Sequence, residues 1–226
     1  MGGSLLKVIF YWVTALFFRV VMKVYNRVSV KDLDKALSAR TPVIIAANHC
    51  SNLDPIVIGA FFPRRLRYLA KSELFSFVPF GLAIRALGAI PARREDLQGA
   101  AGAVKFLIER LLEGEDVLLF PEGQRSHDGK LKPLEGGAGL LAARTGAPVI
   151  PAYIHGTFQA LPRGSTRYRP VKINLSFGDP IYPASPETPG SSSKVIRQAV
   201  TEALERSLKH LEEAAPVERT RQHLSQ

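Results

Sequence analysis

Cysteine is nearly absent from this chain of 226 residues, where Cys50 stands alone. One thiol excludes an internal disulfide framework and suits a reducing compartment. The five histidines form no His-x-x-x-His pair and have no second cysteine to join them. No metal site is therefore expected. The glycine-rich run Glu135-Gly136-Gly137-Ala138-Gly139 lacks a Gly-Lys-Ser/Thr ending, which excludes a nucleotide P-loop. Acidic residues are scarce near the start: residues 1–94 hold 4 of the 20 Asp/Glu but 14 of the 30 Lys/Arg. The rest of the chain is balanced, so the whole net charge of +10 sits in that N-terminal part. Such a block suits nucleic acid, an anionic membrane or a phosphorylated ligand. No nucleic-acid module is present and the cations follow an apolar N-terminus, so the expected partner is a membrane surface with anionic lipids, not nucleic acid.

At 46% hydrophobic residues the chain can bury one sizeable core. Three parts are expected: a membrane-associating N-terminal helix (1–27), an α/β domain (28–213) and a polar tail (214–226). Residues 5–25 are apolar and, as a helix, about 31 Å long, which is enough to cross a bilayer. The uninterrupted apolar stretch is only Val8 to Phe18, and a charge at Arg19 costs roughly 2.5–3.5 kcal/mol near a span's centre. Arg19, Lys23, Asn26 and Arg27 share one side of the helical wheel, the pattern of a helix lying in the interface. A spanning helix, a secretory signal or a helix packed on the domain's own core are the alternatives. The expected location is the cytoplasmic face of a membrane, monotopic or peripheral.

Beyond residue 27, strands are predicted at Val28–Val30, residues 42–47, Arg64–Lys71, Gly88–Ala92, Asp116–Phe120, Pro148–Ile154 and Val171–Phe177. Helices are predicted at Pro55–Phe62, in two short pieces across Leu74–Leu87, and at Glu95–Glu113, Glu135–Thr145 and Ser191–Leu211. Strands that alternate with helices give a single α/β domain with a largely parallel mixed sheet flanked by helices.

The stretch Asn48-His49-Cys50-Ser51-Asn52-Leu53-Asp54 follows a buried-strand pattern. It puts His49 at a strand's C-terminal edge, where open α/β sheets keep their chemistry. Asp54 comes five residues later, where a turn can fold a carboxylate back onto the imidazole, and a histidine so held is a general base. Cys50, the neighbour of His49 in an extended segment, is predicted to face the other way and to be filler. Ser51 is predicted to bond the backbone of its own turn.

The form Asn-His-x-Ser-x-x-Asp resembles the signature of the glycerolipid, or lysophosphatidate, acyltransferase family. Four further blocks resemble that family in order across roughly residues 42 to 155. They are Lys71-Ser72-Glu73-Leu74, Gly88 to Arg94, Phe120-Pro121-Glu122-Gly123-Gln124-Arg125-Ser126 and Ala147-Pro148-Val149-Ile150-Pro151. The resemblance implies acyl transfer from acyl-coenzyme A or acyl carrier protein, as donor substrates and with no cofactor, to a lysophospholipid hydroxyl. His49 would be the base and Asp54 its orienter. Arg125, Lys71 and Arg94 would cradle the acceptor phosphate, with Glu122 and Gly123 shaping the loop. Asn48, Ser51 and Ser126 would support the motifs. Glu122 would either bond the glycerol or hold Arg125. Gln124 stands where the family often has Thr, and Arg93 where an acidic residue is common, so the acceptor is the open question. Lysophosphatidate is expected, with a lyso-ornithine lipid or another lysophospholipid as the alternative. An acyl-thioester hydrolase or a non-catalytic lipid-binding protein on the same fold are the readings from other classes.

Overall fold

The structure, a computed structural model, describes residues 2–76, 78–92, 100–185 and 192–216. The chain starts with helix α1 (Gly2–Tyr25), and then runs β1 (Ser29–Lys31), α2 (Leu33–Ser38), β2 (Ile44–Ala47) and α3 (Asp54–Phe61). Strand β3 (Leu66–Lys71), a 3-10 turn (Ser72–Phe75), α4 (Val78–Ala86) and β4 (Ala89–Ala92) follow. The second half comprises α5 (Ala100–Leu112), β5 (Asp116–Leu119), α6 (Gly137–Thr145), β6 (Val149–His155), α7 (Thr157–Ala160), β7 (Asn174–Phe177) and α8 (Ser193–Glu213).

The strands form one sheet in the order β1-β7-β6-β2-β5-β3-β4. Every pair is parallel except β6 with β7. β2 lies at the centre, and all four of its residues are buried. Its alternation divides the core, because successive side chains leave opposite faces of a strand. Ile45 and Ala47 join the cluster under α1 and α3, whereas Ile44 and Ala46 join the one under α5, α6 and α8. The mixed, largely parallel α/β sheet is the one expected from the sequence. The short helix α7 was not expected. The antiparallel β7 makes the sheet mixed.

Helix α1 differs from expectation in its orientation. Arg19 and Asn26, expected on a polar outer face, turn inward. The Arg19 guanidinium donates to the Ala60 carbonyl at 2.7 and 2.9 Å, and so satisfies a C-terminal carbonyl of α3. Buried Asn26 donates to the carbonyls of Arg169 and Val171. Tyr11, Ala15 and Met22 pack beside them in the core. The outer face is apolar instead, with Ile9, Val13, Leu16, Phe17, Val20 and Val24 exposed at helical spacing. Val78 and Leu82 of α4, which packs beside α1, are exposed too. Helical spacing fixes which residues share a side, not which side meets the domain.

The N-terminal basic excess is partly internal. Arg64 pairs with buried Asp116 at 3.3 Å and donates to the carbonyls of Ala36 and Ala39. Arg67 pairs with Glu115 at 2.9 Å. Both pairs join strand starts, at the end of the sheet away from the Asn48–Asp54 turn.

Candidate active site

Strand β2 ends at Ala47 because Asn48 replaces the next ladder position with its side chain. Asn48 Nδ2 donates to the Ile154 carbonyl at 3.0 Å, and the Ile154 amide donates to Asn48 Oδ1 at 2.7 Å. The buried carboxamide thus imitates a peptide unit of β2 opposite β6, and the main chain is free to turn. Within that turn the Asp54 side chain folds back. Its Oδ2 accepts from Cys50 N at 2.7 Å, from Ser51 N at 2.8 Å and from His49 Nδ1 at 2.8 Å. Two backbone N–H groups mark Oδ2 as an acceptor, so the imidazole proton sits on Nδ1 and Nε2 carries the free lone pair. Asp54 is fully buried, while the His49 side chain keeps 19% of its surface exposed. The carboxylate is shielded and the base is reachable.

Two contacts fix the imidazole further, and both come from the segment after β5. The Phe120 ring stacks on it, with centroids 4.0 Å apart and planes within 18°. Glu122 Oε1 accepts from the His49 amide at 2.6 Å, while its Oε2 accepts from the Lys132 amide at 3.0 Å. Glu122 therefore holds the backbone of His49, and no ion pair joins it to Arg125. Burial pushes its carboxyl up to about 7, against the opposing pull of those two amides. Gly123 turns the chain at φ +68°, where a Cβ would lie 2.3 Å from a Glu135 carboxylate oxygen. A side chain there is strained and must displace the Glu135 carboxylate, so glycine is favoured.

Arg125 is half-buried in the same loop, with no carboxylate within ion-pair distance among the described residues. Buried Ser126 anchors the loop, since its amide donates to the His49 carbonyl at 2.7 Å and its hydroxyl to Asp128 at 2.8 Å. Lys71 ends β3, exposed at the same edge of the sheet, with β5 between it and β2. Arg94 lies outside the described residues, as does Arg93. Cys50 is buried, with Sγ 3.4 Å from Thr157 Oγ1. Burial pushes its thiol far up, which removes it as a nucleophile. Ser51 Oγ donates to the Leu161 carbonyl at 2.7 Å and accepts from Leu53 N, so it ties its turn to a second loop.

Sequence reasoning missed the stacking role of Phe120, the Asn48 bridge and the grip of Glu122 on His49. The Phe120-Pro121-Glu122-Gly123 block was visible as a motif, but its side-chain directions depend on a loop folded back across the sheet.

Residues 24–155 match the acyltransferase domain family, a span that includes His49, Asp54, Phe120, Glu122 and Arg125. The chain is 32% identical over 192 residues, 84% of its length, to a 1-acyl-sn-glycerol-3-phosphate acyltransferase of Bacillus subtilis, 88% of which is covered. It belongs to the acyltransferase family. The crystal structure of the 1-acyl-sn-glycerophosphate acyltransferase PlsC from Thermotoga maritima superposes on this member with a TM-score of 0.61. That match has 29% identity and covers 82% of this chain and 72% of the other. A chloroplastic 1-acyl-sn-glycerol-3-phosphate acyltransferase of Brassica napus is 30% identical over 155 residues, 69% of this chain. The chain spans less than half the length of the chloroplast relatives, 45% and 43% for two of them. The shared fold and family accord with the resemblance drawn from the five sequence blocks.

Proposed function

We propose that this acyltransferase-family chain moves a fatty acyl group from a thioester, acyl-coenzyme A or acyl carrier protein, to the free hydroxyl of lysophosphatidate, giving phosphatidate. The observation that carries the proposal is the His49–Asp54 pair, 2.8 Å apart at the end of the central strand. Nε2 takes the hydroxyl proton as the alcohol oxygen attacks the thioester carbonyl. The tetrahedral intermediate collapses by breaking the C–S bond, and the imidazolium returns the proton to the departing sulfur. Asp54 stabilises the transient imidazolium and fixes its tautomer. General-base assistance of this kind contributes typically about 10²–10⁴ in rate. The thioester is already activated, so no acyl-enzyme is needed, and buried Cys50 supplies no rival nucleophile.

Acceptor choice rests on cations. Arg125, on the loop bonded to the His49 carbonyl and with no ion-pair partner among the described residues, supports a phosphate-bearing acceptor, because a guanidinium grips phosphate with paired N–H groups. Lys71, on the same edge, adds to that field, and Arg94 is assigned to it by its motif position alone. The names of the relatives support the same substrate. The outward apolar face of α1 supports docking on the cytoplasmic face of a membrane, where anionic headgroups meet the N-terminal basic excess. That helix is long and apolar enough to cross a bilayer, from Val8 to Tyr25. Its bonds to α3 and to the 169–171 segment favour a helix lying flat with the domain.

The test is acyl transfer from a labelled thioester to a panel of lysolipids in mixed micelles. Labelled phosphatidate from lysophosphatidate is expected. A phosphate-free diacyl product would overturn the acceptor, and free fatty acid alone would replace transfer by hydrolysis.

A further inference from the structure

Arg163 has no place in the motifs above, yet the fold brings it to the rim of the site. Its loop, which runs from Leu161 between α7 and β7, is tied down from two sides. Ser51 Oγ, inside the His49–Asp54 turn, donates to the Leu161 carbonyl at 2.7 Å. Arg163 Nη1 donates to His127 Nε2 at 2.8 Å. His127 follows Ser126, whose amide donates to the His49 carbonyl at 2.7 Å. Loop 161–164 is therefore tied both to the His49–Asp54 turn and to the loop that carries Arg125. The turn itself is closed by the Ser165 amide donating to the Pro162 carbonyl, with Gly164 at φ +80°.

This placement ties exposed Arg163, through His127, to the loop that carries half-buried Arg125. The positive charge of Arg163, after burial, is the next influence that lowers the pKa of Arg125. Neither arginine has a carboxylate within ion-pair distance among the described residues. Glu122 and Asp128, each three residues from Arg125, are engaged elsewhere: Glu122 accepts from the His49 and Lys132 amides, and Asp128 from the Ser126 hydroxyl and the Lys130 amide. The Asp54 carboxylate offsets the repulsion at Arg125 by less than Arg163 adds, and an anion that enters between the two arginines relieves what remains. A guanidinium is always charged, so its N–H group donates and His127 must accept as the neutral imidazole. The imidazole steers the arginine and leaves its charge uncompensated.

We infer that Arg163 is a second phosphate-binding arginine of the site, acting with Arg125 on a phosphomonoester dianion, and that His127 is the positioning residue that aims it. The inference rests on the function proposed above and adds a specificity residue to it. A dianion gains from two guanidinium groups where a phosphodiester, with one charge, gains less. Arg163 thus favours an acceptor with a terminal phosphate over one whose phosphate carries a further headgroup.

The experiment is steady-state kinetics in mixed micelles, with KM and kcat measured separately for lysophosphatidate and for the acyl donor. Arg163→Gln is expected to raise the lysophosphatidate KM roughly 10- to 100-fold, the size of one charge-assisted hydrogen bond. kcat should stay within about threefold and the donor KM should not move. Arg163→Lys should recover part of the loss. His127→Ala should raise the same KM, and His127→Gln, whose amide oxygen can accept from Arg163, should restore it. An unchanged lysophosphatidate KM in Arg163→Gln, with normal thermal stability, overturns the inference. A rise in the donor KM instead would assign the arginine to a donor phosphate and overturn it as well. Failure of the wild type to use lysophosphatidate overturns the proposed function. A wild type that uses only a headgroup-bearing lysophospholipid overturns the preference for a dianion, while the same KM split on that acceptor decides whether Arg163 binds phosphate at all; a phosphate-free acceptor overturns both.

Discussion

Replacing Asp54 with Asn separates the charge of the carboxylate from its shape. Oδ2 accepts three N–H groups in the wild type. An asparagine oxygen in the same place keeps the backbone bonds of the turn, so the variant should fold. What it loses is the charge opposite the imidazolium. At the observed 2.8 Å, with an effective dielectric constant of about 20, that attraction is roughly 6 kcal/mol. A neutral hydrogen bond from Nδ1 survives and His49 is partly solvated, so about 4–5.5 kcal/mol of transition-state stabilisation should disappear. This corresponds to a fall of about 10³–10⁴-fold in the chemical step. The assay is single-turnover acyl transfer with saturating lysophosphatidate, followed by thiol release, alongside circular dichroism to verify the fold. A folded Asp54→Asn protein that works within tenfold of the wild type would refute the assignment of Asp54 as electrostatic partner of the base.

Glu122 offers a pH test. Its carboxyl rises from 4.5 to about 7 in the folded state, so ionising it costs folding free energy. The wild type should match its best stability relative to Glu122→Gln below about pH 4.5 and lose ground as pH rises through 7, by on the order of 2–3 kcal/mol. Urea unfolding of both proteins at pH 5 and pH 8 measures this, and an equal difference at the two pH values would contradict it. The same variant should lose activity at all pH values, because an amide NH₂ then faces the backbone N–H of either His49 or Lys132. Gly123→Ala forces a Cβ into the Glu135 carboxylate at positive φ, and should cost about 1–3 kcal/mol in thermal unfolding and most of the activity. On α1, Phe17 and Val20 are 60% and 54% exposed. Phe17→Glu with Val20→Glu should leave the melting temperature nearly unchanged and abolish sedimentation with anionic vesicles; retained sedimentation would remove the outer face of α1 from the membrane contact.

The parts legible in the sequence were those set by local pattern. The apolar run before Asn48 is a central strand because residues buried on both faces need no alternation. His49 and Asp54 meet because five residues suffice for one tight turn. The features that stayed hidden depend on segments distant in sequence. Glu122 reaches the His49 amide across 73 positions, and no local spacing reveals where a loop carboxylate points. Arg19 reads as a surface cation until α3 presents the Ala60 carbonyl to it. Arg163 carries no motif, and only the ties of loop 161–164 to Ser51 and His127 give it a place. The antiparallel pairing of β7 with β6 was likewise invisible, since its alternation fits either direction.

The most direct test of the account is the transfer rate of His49→Ala, with a labelled acyl-thioester and lysophosphatidate, beside the wild type. The account predicts labelled phosphatidate from the wild type and a fall of at least about 10²-fold in the variant, with the lysophosphatidate KM little changed, because it assigns the headgroup to Arg125 and Arg163 and not to the base. A folded His49→Ala protein that transfers at the wild-type rate would contradict the central claim that this imidazole takes the acceptor's proton.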